Sequence, residues 1–190
     1  MKSLHHDEDG FTGLEAAIVL IAFVVVAAVF SYVVLGAGFF TTQKAQESVH
    51  TAVGQATSAV ELSGPVMVEG GAGDTVTNAS FYLQLGAGGN PVDVTKIGYT
   101  VSTPKKVYTV QGTDSQVTIE WLKTIASGDL LENREMVLVT LNIDAMGFTS
   151  ADMTVNDKMT IEVKPPVGSS LPISRTIPAA LNQGLWYEVY

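Results

Sequence analysis

Residues 11–40 read FTGLEAAIVLIAFVVVAAVFSYVVLGAGFF, and from Ala16 to Phe40 the run is apolar apart from Ser31. At about 1.5 Å per residue a helix over 16–40 spans about 37 Å, more than the ~30 Å hydrocarbon core of a bilayer. The segment is long enough to cross a membrane. One carboxylate, Glu15, stands at its lip. A charge at that depth is costly unless something pairs with it, which makes Glu15 a candidate functional residue whose partner must be sought near the start of the chain.

Ahead of the run stands the leader MKSLHHDEDG. An ordinary secretory signal has a basic start, an apolar core of about 7–15 residues and a small-residue cleavage site. Here the leader is acidic and the run is too long, although Gly36-Ala37-Gly38 offers small residues. The run therefore reads as a retained anchor. Beyond it Ala45, Val49, Ala52, Val53, Ala56, Ala59 and Val60 recur at steps of three and four, and no breaker appears before Gly64-Pro65. The spacing predicts one helix from about Gly13 to Leu62, about 75 Å long, far more than a bilayer requires. Its second half must pack on something outside the membrane, either other chains or its own globular domain. Small residues on that stripe suit close helix packing.

From Pro65 the pattern turns to short runs rich in Val, Ile, Thr, Tyr and Phe between turn signals: 80–85, 93–102, 106–110, 116–125, 136–143, 158–164 and 185–190. Seven or more strands with polar turns and no helical pattern between them predict an antiparallel immunoglobulin-like β-sandwich. The fold class is α+β, a long N-terminal helix followed by that sandwich.

Little chemistry is offered. The 190 residues contain no Cys, which excludes thiolate catalysis, disulfides and Cys-ligated metal. The three His are His5, His6 and His50, so a Ser-His-Asp arrangement or a His-based metal site is unavailable to residues 65–190. The net charge of −9 disfavours nucleic acid and anionic lipid as partners. Asp129, Glu132 and Glu135, or Asp144, Asp152 and Asp157, are oxygen donors in loops, but none has a calcium-loop spacing and they are expected to be solvated. No catalytic residue, metal or cofactor is expected. Asn78-Ala79-Ser80 is a glycosylation sequon, expected in a surface loop.

Gly10 followed by Phe11-Thr12-Gly13-Leu14-Glu15 and an apolar helix resembles the class III signal of type IV pilin-like proteins. The stretch from Phe11 to His50, with IEVKPPVGSSLPISRTIPAAL at 161–181, is similar to archaeal flagellins, the archaellins, of methanogen type. One departure is visible: Asp7-Glu8-Asp9 precede Gly10 where leaders of that family carry Lys or Arg. The resemblance implies a leader at 1–10 removed by a prepilin-type peptidase between Gly10 and Phe11, an assembly helix at 11–64 and an outer β-sandwich at 65–190. It implies a non-enzymatic subunit that passes through the membrane and joins identical or paralogous subunits in an extracellular filament used for swimming. Within that filament Glu15 would meet the new amine of Phe11 in an adjacent subunit, and Asn78 would carry a glycan outside. An adhesive pilin and a membrane-anchored immunoglobulin-like binding protein are the alternative readings.

Overall fold

The computed structural model describes residues 6–125 and 128–190; for residues 6–12, 56 and 57 it describes the helical backbone alone. The chain divides into two units, the first ending at Thr51 and the second running Ala52–Tyr190. Residues 1–5 of the expected leader lie outside the described residues.

A single helix, α1 (His6–Thr57), fills the first unit and enters the second. It begins before the expected Gly13 and passes through Gly10 and Phe11 without a break. At its other end it stops at Thr57, short of the expected Leu62. The last amide bond runs from Ser58 N–H to the Gly54 carbonyl, 3.1 Å, and the chain then becomes β1 (Val60–Leu62). Val60, Glu61 and Leu62 pair with Leu85, Gln84 and Leu83. Val60 continues the helical spacing of the sequence, but burying it in the sandwich and completing a strand ladder outweighs that local pattern.

The strands that follow are β2 (Val66–Gly70), β3 (Val76–Leu85), β4 (Val92–Asp93), β5 (Gly98–Ser102), β6 (Val107–Gln111) and β7 (Val117–Lys123). After them come β8 (Leu130–Leu131), β9 (Met136–Asn142), β10 (Lys158–Lys164), β11 (Leu171–Thr176) and β12 (Trp186–Val189). They form a larger sheet in the order β12-β2-β3-β9-β7 with β1 also on β3, a smaller sheet in the order β11-β10-β5-β6, and the short pair β4 and β8. Every pairing is antiparallel.

Alternation along β2, β5, β9 and β10 sends every second side chain into one shared core, as period two requires. Phe81 of β3 meets Tyr99 of β5 with ring centroids 6.2 Å apart, a tilted contact between the two sheets. The stretch 93–102, expected as one strand, is broken by a 3-10 turn at Val94–Lys96. Asp93 caps that turn, accepting from the Thr95 amide at 3.1 Å, and forms an ion pair with Lys96 at 2.7 Å. The Lys96 ammonium and the Thr95 hydroxyl hold the Asp93 carboxyl below the usual carboxylate range.

Tyr99 is fully buried and its hydroxyl has no hydrogen-bond partner among the described residues. An unmade hydrogen bond at a buried polar atom costs about 1–3 kcal/mol. Tyr99→Phe is therefore expected to stabilise the second unit by about 1 kcal/mol in urea unfolding. Burial also pushes the Tyr99 phenol above its ordinary value. Since the folded pKa exceeds the unfolded one, stability is complete below about pH 10 and is lost as pH rises past it. Tyr99→Phe removes that share of the alkaline loss. A midpoint equal to that of the parent at pH 7 and at pH 11 would contradict both expectations.

Candidate assembly helix and outer sheet face

Glu15 lies on α1 between Leu14 and Ala16, and every described side chain from Gly13 to Val53 is exposed. Phe23, Phe30, Phe39, Phe40 and Tyr32 face outward on all sides. The segment Gly13–Gln55 is long and apolar enough to cross a membrane, and none of its most apolar stretch is buried by its own chain. A helix that is apolar all round is stable only when something covers it on every side. Gly38 opens a notch between Val34, Leu35, Phe39 and Thr42, where a knob from another helix can sit.

Past the apolar run, polar side chains on α1 resume at Thr41. The hydroxyls of Thr41 and Thr42 donate back to the Ala37 and Gly38 carbonyls at 2.8 Å, satisfying themselves without a partner chain. Lys44 and Glu47 form an exposed ion pair at 2.6 Å, worth at most about 1 kcal/mol. Glu15 lies nine residues beyond the start of α1 at His6. The helix dipole fades within the first turn and does not reach it there.

Asn78 stands in β3, not in a loop as expected. Its side chain is on the outer face of the larger sheet, half-buried, and its amide Nδ2 donates to the Glu69 carboxylate of β2 at 2.6 Å. Three registers align Trp186 of β12 with Glu69, Glu69 with Asn78, and Asn78 with Asn142 of β9, so one row across the face reads Trp186, Glu69, Asn78, Asn142. The alternation Ala79, Phe81, Leu83 into the core was the available signal that a strand runs up to residue 78.

Among the loop acids Asp129 and Asp144 are exposed as expected, whereas Glu135, Asp152 and Asp157 are engaged. Glu135, expected to be solvated, is 1 % exposed and accepts from the amides of Ile125 at 2.6 Å and Glu132 at 2.9 Å. Asp152 accepts from the Thr149 amide and hydroxyl, which lower its carboxyl below the usual range. Asp157 accepts from the Thr154 amide at 3.1 Å. These carboxylates pin their own loops. Among the described residues no three His, Asp or Glu side chains gather as a metal site would require.

A family model described as archaeal-type flagellin matches residues 10–175. The chain is 45 % identical over 190 residues to "Probable flagellin 1" of Archaeoglobus fulgidus, covering 93 % of both chains. Its structure is similar to that of the archaeal flagellum of Methanospirillum hungatei strain JF1, with a TM-score of 0.75, 35 % identity, and coverage of 94 % of this chain and 99 % of that one. The crystal structure of archaeal flagellin FlaB1 from Methanocaldococcus jannaschii shares the fold, with a TM-score of 0.59 over 70 % of this chain and 96 % of that one, at 13 % identity.

Proposed function

The chain belongs to the archaeal-type flagellin family, a filament subunit of the archaellum that serves motility, and from that membership we propose that α1 is its assembly element. The observation that carries this reading is the helix with no buried side chain from Gly13 to Val53. In the precursor, lipid covers its apolar part; in the filament, the helices of other subunits do. Moving from lipid to a helix bundle gains little hydrophobic energy, so close packing at small residues such as Gly36, Ala37 and Gly38 supplies the drive. The subunit does no chemistry of its own.

A prepilin-type peptidase cuts between Gly10 and Phe11. Since α1 runs through that bond, the enzyme must unwind a turn to reach it, and Gly10 weakens the helix there by about 1 kcal/mol relative to Ala. The mature chain is expected to begin at Phe11, and N-terminal sequencing of purified filaments checks it. A filament subunit starting at Met1 or at Phe39 would contradict the proposal, the latter because it removes the apolar helix.

Assembly through α1 also requires that the second unit be self-sufficient. A fragment of residues 58–190, keeping β1 on its sheet, is expected to sediment as a monomer at every concentration. Filaments built from that fragment would move the assembly surface to the sandwich. We further propose that Asn78 bears an N-linked glycan. Its Nδ2 donates one proton to Glu69 in the folded domain, and the second proton is the one a sugar would replace.

A further inference from the structure

Beside Asn78 the outer face of the larger sheet holds a shallow depression of about 440 Å³, lined by Met67, Ser80, Tyr82, Glu120, Leu138 and Trp186 together with two threonines. That volume falls within the range of small-ligand sites. The lining joins aromatic and aliphatic side chains to hydroxyl and carboxylate oxygens, and it contains no Lys or Arg. Glu69 and Glu188, on the same face, add negative charge. An anion is repelled there. A neutral polyhydroxylated molecule is not: its C–H faces cover rings and methyls while its hydroxyls donate to Glu120, Ser80 and the threonines.

We propose that this face is a carbohydrate-binding platform occupied by the chain's own glycan on Asn78, an inference that rests on the glycosylation proposed above. Trp186 lies two strands from Asn78 in the same row, roughly 10 Å away, within reach of a short oligosaccharide. The linkage is compatible with the existing hydrogen bond. Nδ2 carries two protons; one leaves as the nitrogen displaces phosphate from the anomeric carbon of a glycosyl phosphate donor, and the other still donates to Glu69. That bond fixes the first sugar over the sheet instead of leaving it to swing. Tethering raises the local sugar concentration to the millimolar range, so contacts too weak to hold a free saccharide suffice.

The test uses filaments from cells expressing Trp121→Phe, which leaves Trp186 as the one tryptophan of the chain's two. Acrylamide quenching of Trp186 is compared with and without Asn78→Gln, and mass spectrometry of the peptide containing Asn78 records the glycan. With the glycan present on the parent, its loss is expected to raise the quenching constant about twofold, as one ring face is uncovered. Ser80→Ala, which removes the sequon but keeps Asn78 on Glu69, should do the same and guards against misfolding of the Asn78 variant. Equal quenching despite a glycan on Asn78 overturns the platform. A bare Asn78 overturns the glycosylation reading and the platform with it. Protection of Trp186 that survives in both variants but vanishes when filaments are dissociated assigns the face to a neighbouring subunit instead.

Discussion

Cells whose subunit carries Glu15→Gln are expected to make no filaments and to accumulate processed subunits in the membrane. Before cleavage Glu15 lies within α1, nine residues past its start and out of reach of the helix dipole. The proposed cleavage after Gly10 would change two things at once. It would make Phe11 the helix start and give it a cationic amine one turn from residue 15, with a pKa near 8 in water. Buried among packed helices, that amine needs an opposite charge. If Glu15 merely complemented the new helix end, replacing it would cost about 0.3–1 kcal/mol and assembly would proceed. If it neutralises the amine, Gln strands a buried cation at a cost of about 3–5 kcal/mol, enough to stop polymerisation. Electron microscopy of the cell surface and fractionation of membranes distinguish the two. Normal filaments would refute the pairing.

The second large effect is expected at Gly168, which has φ +112° and lies against the Ser58 carbonyl, where α1 gives way to β1. A Cβ there would overlap the carbonyl oxygen and sit 2.8 Å from its carbon. Gly168→Ala therefore combines backbone strain of about 1–3 kcal/mol with a steric clash worth about 1–3 kcal/mol more. A drop of about 3 kcal/mol or more is a large share of the ~5–15 kcal/mol that a domain possesses. Gly73 is the comparison, with φ +75° and open space around its Cβ position. Gly73→Ala should cost the strain alone, about 1–2 kcal/mol. Urea midpoints of the 58–190 fragment measure both, and equal losses would show that the contact with Ser58 is soft.

Much of the architecture was legible because single segments carry it. An apolar run of membrane length needs no partner to be read as a helix, and a lone carboxylate beside it stands out as Glu15 does. The sheet strands 80–85, 136–143 and 158–164 alternate strongly enough to be read locally. What escaped depends on contacts between distant segments. Val60–Leu62 continues the helical spacing and becomes a strand only because β3 offers Leu83 and Leu85. Leu171–Thr176 was concealed by Pro172, which has no N–H to donate; it is tolerated because β11 is a sheet edge. Val66–Gly70 hid between Gly64-Pro65 and Gly70-Gly71, which read as turns. At the outer face, Glu69, Asn78 and Trp186 come from three strands, and the register that aligns them cannot be read from any one of them.

The order of strands in the larger sheet also sets a timetable. β3 is flanked on both sides only when β9 arrives, and the sheet is finished only when β12, from the far end of the domain, lies on β2. Pairings this distant in sequence form slowly, on the order of milliseconds to seconds. A chain emerging from the ribosome or the export machinery therefore exposes residues 78–80 as an unpaired strand while more than half of its sandwich is still to come. If the proposed modification of Asn78 takes place at that stage, a mutation that hastened closure of β3 against β9 would be read out as undermodified filaments with an unchanged fold.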